Sequence, residues 1–163
     1  MPRSFVRDTI EKIVLNVGVG RLTQNSNFEK ILPEIVKDVA MITGQRPVPT
    51  IAKKSIAGFK LRQGQTVGLK VTLRRKIMED FLQRLIHVVL PHIRDFRGIN
   101  SKSVDARGNL TIGIKEQFAF PEINPESSNV DFGFEVTIVP REKKREKAIE
   151  KYRKIGIPLK SQK

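Results

Sequence analysis

Cysteine and tryptophan are absent from this 163-residue chain, tyrosine occurs once and histidine twice. Without cysteine there can be no disulfide and no thiolate metal ligand, and such a composition suits a reducing, cytosolic setting. His87 and His92 are five positions apart, a spacing that does not bring both to one helix face, and no acidic ligand sits beside them. They read as surface or helix-end residues, and no metal site is expected. Long apolar runs are missing too. None approaches the roughly 20 residues that a membrane span needs, and the stretch from Leu85 to Leu90 is interrupted by His87. The opening MPRSFVRD has no apolar core of a signal peptide. With no tryptophan and few helices carrying exposed bulky apolar residues, a membrane surface is a poor partner.

Acidic residues are scarce: 17 Asp and Glu stand against 31 Lys and Arg, a formal charge of +14. The imbalance is local as well as global. From Val39 to Met78 there is no acid, while Arg46, Lys53, Lys54, Lys60, Arg62, Lys70, Arg74, Arg75 and Lys76 are all cationic. Such a block repels itself in the isolated fold, and a polyanionic partner is its natural reason. A merely solvated basic face is the plainer alternative. Against it stand the missing interleaved acids and a Gly-rich loop that carries Phe59 between cations, which favour nucleic acid.

The rest of the chain supports that block. Residues Val67, Leu69, Val71 and Leu73 alternate with Gly68, Lys70, Thr72 and Arg74, the period of a strand with one face on a core and one open, basic face. Ile10 to Val17 repeats the pattern, with Ile13, Leu15 and Val17 inward and Asn16 outward, and runs into a turn at Gly18-Val19-Gly20. Leu110, Ile112 and Ile114 mark a further strand. Val130 to Val139, with Phe132, Phe134, Val136 and Ile138 inward, marks the last. Helical spacing runs from Phe28 to Ala40, with a capping box at Ser26–Glu29, a kink or break expected at Pro33, and Gly44 as the stop. Gln45 to Thr50 reads as an extended connector. A second helix carries Ile77, Met78, Phe81, Leu82, Leu85, Ile86 and Val89 as a core stripe that Pro91 ends or kinks. Ile93 to Gly108 is a polar connector in which Asp95, Arg97, Asp105 and Arg107 could form internal ion pairs or meet RNA.

This order predicts an α+β fold: a mostly antiparallel sheet with helices packed on one face and an open, basic RNA-binding face, a two-layer sandwich. The chain, 1–163, reads as a single domain with a protruding basic loop at about 53–66 and a charged C-terminal helix at about 141–155, seamed by Ala148, Ile149, Tyr152 and Ile155. An open face of Asn, Thr, Lys and Arg can fix register on a nucleic-acid backbone, and the shallow minor groove of A-form RNA suits it. No cofactor is expected. The Gly18–Gly20 pair lacks the third glycine and the Lys-Ser/Thr of a nucleotide loop. The candidate acids Asp95, Asp105 and Glu116 have no His or Cys partner, so the chain does not read as an enzyme.

Five segments then carry a resemblance: IEKIVLNVGVG (Ile10–Gly20), TGQRPVPTIAKKSIAGFKLRQG (Thr43–Gly64), GLKVTLR (Gly68–Arg74), IRDFRGI (Ile93–Ile99) and DARGNLTIGIKEQFAFPEI (Asp105–Ile123). In unbroken order they closely resemble the large-subunit ribosomal protein five family, which binds 5S ribosomal RNA in the central protuberance. The resemblance implies a structural, non-catalytic, cytoplasmic and ribosome-bound protein. It places Asn16, Gln45 and Thr72 at 5S RNA contacts, two on open strand faces and one at a helix exit, and Lys70 and Arg74 join them as candidate 5S RNA-binding residues. It assigns the loop residues Phe59, Lys60, Leu61, Arg62, Gln63 and Gly64 to transfer RNA in the peptidyl site. Implied partners are 5S and 23S-type ribosomal RNA, P-site tRNA, neighbouring large-subunit proteins and a small-subunit head protein. A free-standing RNA-binding protein or RNA chaperone of broad specificity is the alternative. Three departures stand out: family members commonly start with a longer segment forming an N-terminal helix, whereas this chain begins almost at its first strand; Arg75 occupies a usual glycine position; and Ile51 replaces a usual basic residue.

Overall fold

Alternating burial along the strands builds the sheet. The computed structural model describes residues 3–126, 128 and 130–160. Along β1 (Ile10–Gly18), Ile13, Leu15 and Val17 are buried and Asn16 is exposed, as the period-2 pattern requires. With β2 (Val48–Ile51), β3 (Thr66–Leu73), β4 (Leu110–Ile114) and β5 (Phe134–Pro140) it forms a five-stranded antiparallel sheet in the order β2-β3-β1-β5-β4. Helices complete the α+β fold. The chain divides into two compact units, Leu15–Val71 with Ile114–Phe134, and Met1–Val14 with Thr72–Gly113 and Glu135–Lys163.

In the first of these units, α2 (Phe28–Thr43) buries Ile35, Val39 and Ile42 along one stripe and stops at Gly44, whose φ of 69° suits a residue without Cβ and whose N–H donates to the Ala40 carbonyl at 2.8 Å. The capping box does not form. The cap residue is Asn27, one position later than expected, so Glu29 falls in the second helical position and cannot reach back. The Asn25 side chain instead accepts from the Asn27 N–H at 3.1 Å. Pro33 does not split the helix, because it lies near the start on an exposed position and removes only one interior hydrogen bond.

The connector after Gln45 turns out to be the edge strand β2, antiparallel to β3 with Val48 opposite Lys70 and Thr50 opposite Gly68. Its proline, Pro49, is tolerated because an edge strand has a free side where no N–H is required. Gly68, expected on the open face, is buried: a Cβ there would come within 2.7 Å of Thr50 Oγ1 and 3.0 Å of the Val17 carbonyl. The last strand begins at Phe134, not Val130. The Phe132 N–H is diverted to the Gln117 side chain at 3.0 Å, and at Gly133 a Cβ would meet the Lys115 carbonyl at 2.9 Å.

That diversion belongs to a polar chain that periodicity gives no sign of. Buried Gln117 also donates to the Val130 carbonyl at 2.6 Å and lies 3.4 Å from Ser128 Oγ, which donates to Asp38 Oδ2 at 2.9 Å. Gln117→Ala should cost about 2 kcal/mol, because a buried N–H and carbonyl lose their partners. Chemical denaturation checks it; an unchanged midpoint would mean water replaces the amide.

The other unit opens with a helix where a near-immediate strand was expected. Helix α1 (Arg3–Thr9) buries Val6 and Thr9 and packs against α3 (Arg75–Arg84) and α5 (Arg145–Ile155). Helix α3 buries Met78, Phe81 and Leu82, but Ile77, assigned to the core stripe, is 43% exposed; the buried face is set one position later. A widened turn follows at Leu85–Val89, where the Leu90 N–H reaches back five residues to Leu85, and a last turn, α4 (Leu90–His92), contains Pro91. His92 Nδ1–H donates to the Val88 carbonyl at 2.9 Å and ends the helix.

The C-terminal helix starts at Arg145 rather than 141. Residue Arg141 is held before the helix instead, its N–H on the Thr9 carbonyl at 2.9 Å and its Nε on the Arg7 carbonyl at 2.8 Å. Arg145 then bridges to the carbonyls of Val104 and Ser101, both at 3.0 Å. The 93–108 connector is likewise tied down: the Ile99 N–H donates to Pro158 and the Lys160 N–H to Ile99, both at 2.8 Å.

Candidate nucleic-acid interface

Within the Leu15–Val71 unit, three elements present polar side chains outward. Asn16 is exposed between buried Leu15 and Val17, so the strand geometry alone aims its amide at solvent. Gln45 follows the left-handed Gly44. Its N–H donates to Thr43 Oγ1 at 3.2 Å, while the same hydroxyl lies 2.7 Å from the Val39 carbonyl and 2.8 Å from the Gln45 carbonyl. Thr43 is fully buried, so the backbone of Gln45 is fixed and its exposed side chain starts from a set position. Lys70 is the exposed residue of β3, on the strand adjacent to that of Asn16.

The basic loop is more ordered than its glycines suggest. The Ala52 N–H donates to Gln65 at 2.8 Å and the Gly64 N–H to Ala52 at 2.9 Å. Farther out, Ile56 and Leu61 exchange both backbone hydrogen bonds, at 3.0 and 3.2 Å. The Ser55 hydroxyl accepts from the Gln63 N–H at 2.9 Å. The loop is therefore a short hairpin extension capped by the turn Ala57–Phe59, with Lys60 at φ 51° and Gly64 at φ 84°. Lys53, Lys54, Lys60, Arg62, Gln63 and Gly64 are exposed and Leu61 is half-buried; the side chain of Phe59 lies outside the described residues.

In the other unit, Thr72 is half-buried on β3 and Arg74 is exposed in extended chain just after it. Glu11 serves three cations: Lys143 at 3.6 Å, Lys12 at 3.7 Å and Arg74 at 3.9 Å. Buried Glu79 pairs with Arg7, whose guanidinium is held still more firmly protonated by that hydrogen bond and charge. Asp105 makes local hydrogen bonds: its carboxylate accepts from the N–H groups of Arg107 and Asn109, both at 2.8 Å, and from Asn109 Nδ2 at 2.7 Å. Desolvation works to raise the Asp105 pKa, but those three hydrogen bonds and the Arg107 charge outweigh it and hold the carboxyl below its ordinary value. Sequence reasoning missed Gln117, Glu79 and Arg141. A buried Glu next to a buried Phe stripe left no periodic signal, and the partners of Glu79 and Arg141 lie far away in the chain.

Among the described residues, no group of three or more His, Asp or Glu side chains is placed to hold a metal, and no helix is long and apolar enough to cross a membrane. Within the Leu15–Val71 unit, the exposed amides of Asn16 and Gln45 and the exposed cations of Lys70 and the basic hairpin are groups of the kind that contact a polyanion. Comparison with known families makes the class specific. The family model described as "Ribosomal protein L5" matches residues 9–62, and a second model, describing the C-terminus of the same ribosomal protein family, matches residues 66–159. The chain belongs to the ribosomal protein L5 family. Among similar curated proteins, the large ribosomal subunit protein uL5 of Lacticaseibacillus casei (strain BL23) is 52% identical over 150 residues, covering 92% of this chain and 82% of that relative. Those of Oenococcus oeni (strain ATCC BAA-331 / PSU-1) and Halothermothrix orenii (strain H 168 / OCM 544 / DSM 9562) are 52% and 48% identical over the same coverage. The protein is a structural, ribosomal-RNA-binding component of the large ribosomal subunit and not an enzyme.

Proposed function

We propose that the protein binds 5S ribosomal RNA through Asn16, Gln45 and Thr72, with Lys70 and Arg74 supplying phosphate contacts, and that residues 59–64 of the basic hairpin reach transfer RNA in the peptidyl site. The observation that carries this reading is the exposure of Asn16 and Gln45, uncharged polar side chains fixed on rigid backbone beside cations. Cations alone bind any RNA; positioned amides add selectivity. The remaining partners in this reading are 23S-type ribosomal RNA, neighbouring large-subunit proteins and a small-subunit head protein.

The test is binding of the purified protein to 5S ribosomal RNA at about 0.15 M salt, where non-specific binding is weak, against excess unrelated RNA. A complex that survives competition supports the reading. Equal competition by any RNA overturns it in favour of an RNA chaperone of broad specificity.

The hairpin and the sheet should separate. Lys60→Ala with Arg62→Ala should reduce transfer-RNA contact in reconstituted ribosomes roughly tenfold, about 1.4 kcal/mol, and leave 5S binding within about twofold, measured by crosslinking and by filter binding. A collapse of 5S binding would show that the hairpin also holds the 5S RNA.

A further inference from the structure

Four arginines converge on one pocket in the unit that contains α1 and α3. Arg7, Arg74, Arg75 and Arg141 line it, with Glu11 as its carboxylate and Ile10 and Met78 as its floor. Their charges are not balanced locally. Glu79 is engaged by Arg7, and Glu11 is shared among Arg74, Lys12 and Lys143. Four guanidinium charges against two carboxylates leave an excess of two positive charges at the pocket.

One of these arginines is held by a backbone carbonyl rather than by an acid, and a second has an unusual backbone conformation. The Arg141 guanidinium donates through Nε to the Arg7 carbonyl at 2.8 Å, which fixes its plane and leaves its terminal nitrogens for another acceptor. Arg75 has φ +55°, a left-handed conformation that costs a non-glycine residue energy and persists only where surrounding structure imposes it. The strained residue is the first of α3, where the helix has no acidic residue in its opening turn and no side-chain cap, so the charge of Arg75 is opposed by the dipole as well. A cationic pocket arranged against its own repulsion, with planar forks as donors, fits a tetrahedral oxyanion.

We propose that this pocket binds a backbone phosphate of ribosomal RNA, with Arg75 and Arg141 adding to Arg74 as its donors. The contact reads no base. It contributes affinity and orientation to whichever RNA lies there, and it rests on the protein's binding of ribosomal RNA rather than on a preference for 5S.

The experiment compares the full chain with the double variant Arg75→Gly, Arg141→Ala. Affinity for 5S ribosomal RNA and for an unrelated RNA duplex is measured between about 0.05 and 0.2 M salt. Arg74 is already paired with Glu11, so removing Arg75 and Arg141 leaves the phosphate without net neutralisation, and the slope of log affinity against log salt should flatten by about 0.7 to 0.9 for both RNAs. Affinity at the lower salt should fall several-fold. Glycine suits the backbone at position 75, so the variant should keep its fold, checked by its melting curve; Arg141→Lys alone should keep most of the slope. An unchanged slope in the double variant overturns the proposal. A parallel titration with inorganic phosphate, followed at the amide resonances of Arg75 and Lys76, tests for a small-anion site. Phosphate binding with no change in RNA slope would also overturn the RNA assignment. Loss of 5S preference in the unmodified chain would refute the proposed 5S specificity, yet a flattened slope on both RNAs would still uphold this pocket.

Discussion

Replacing Asn16, Gln45 and Thr72 together by alanine should lower affinity for 5S ribosomal RNA by roughly a hundredfold to a thousandfold, because three lost hydrogen bonds at about 0.9 to 1.4 kcal/mol each sum to that range. The loss should fall on specificity. Affinity for unrelated RNA, which rests on cations, should change little, and the salt slope should stay where it was. The variant should also fold normally. Asn16 and Gln45 are exposed, and neither side chain is needed by the hydrogen bonds that fix Gln45's backbone, which come from Thr43. Thr72 is half-buried, so Thr72→Ser is the control that keeps the hydroxyl. Competition filter binding at about 0.15 M salt reads the effect. A drop of less than about tenfold would assign recognition to the cations and remove Asn16, Gln45 and Thr72 from the interface.

The second large effect concerns the C-terminal helix. Tyr152 is fully buried, and its hydroxyl donates to the Gly108 carbonyl at 2.8 Å with the Ile138 carbonyl at 3.2 Å. Gly108 has φ 81°, and a Cβ there would lie 2.8 Å from the Ala148 side chain, so helix and loop meet with no spare room. Tyr152→Ala should cost about 3 to 5 kcal/mol, the usual range for an aromatic deleted from a packed core. Tyr152→Phe keeps the ring and should cost about 1 to 3 kcal/mol, from the loss of the buried hydroxyl's hydrogen bond to the Gly108 carbonyl. Equal losses for the two variants would mean that the ring's packing contributes little. The hydroxyl also predicts a pH dependence. Burial, with the Asp105 charge, pushes the Tyr152 phenol well above its ordinary value. A raised folded pKa stabilises the protein fully below the unfolded value of about 10 and progressively less above it. Alkaline unfolding should therefore steepen above pH ~10 in the unmodified chain. That component should be missing in Tyr152→Phe, as thermal melts across the range will show.

Arg75 shows how a local departure acquires meaning only in three dimensions. In the sequence it is a cation in a usual glycine position. In the fold it sits at φ +55°, the conformation for which glycine is suited, and it faces a pocket shared with Arg141, which is distant along the chain. The capping box at Ser26 illustrates the reverse. Its residues satisfy the motif, but a one-residue shift of the helix start removes the spacing that the motif needs.

What the sequence alone determined is whatever depends on backbone period and on charge. Alternation at Leu15, Asn16 and Val17, or at Leu110, Ile112 and Ile114, places side chains on opposite faces of any strand, whatever lies beside it. The acid-free block needs no fold to be basic, and the series of family segments needs no fold to be recognised. Tertiary structure decided the partners. It made Val48–Ile51 an edge strand by pairing it with β3, turned Gly68 from open to buried by laying Thr50 across it, and joined Gln117 to Ser128 and Asp38. It also brought Glu79 to Arg7 and Tyr152 to Gly108. These contacts join residues far apart in the chain, and the free energy that selects them comes from burying and pairing groups that local propensity treats as independent.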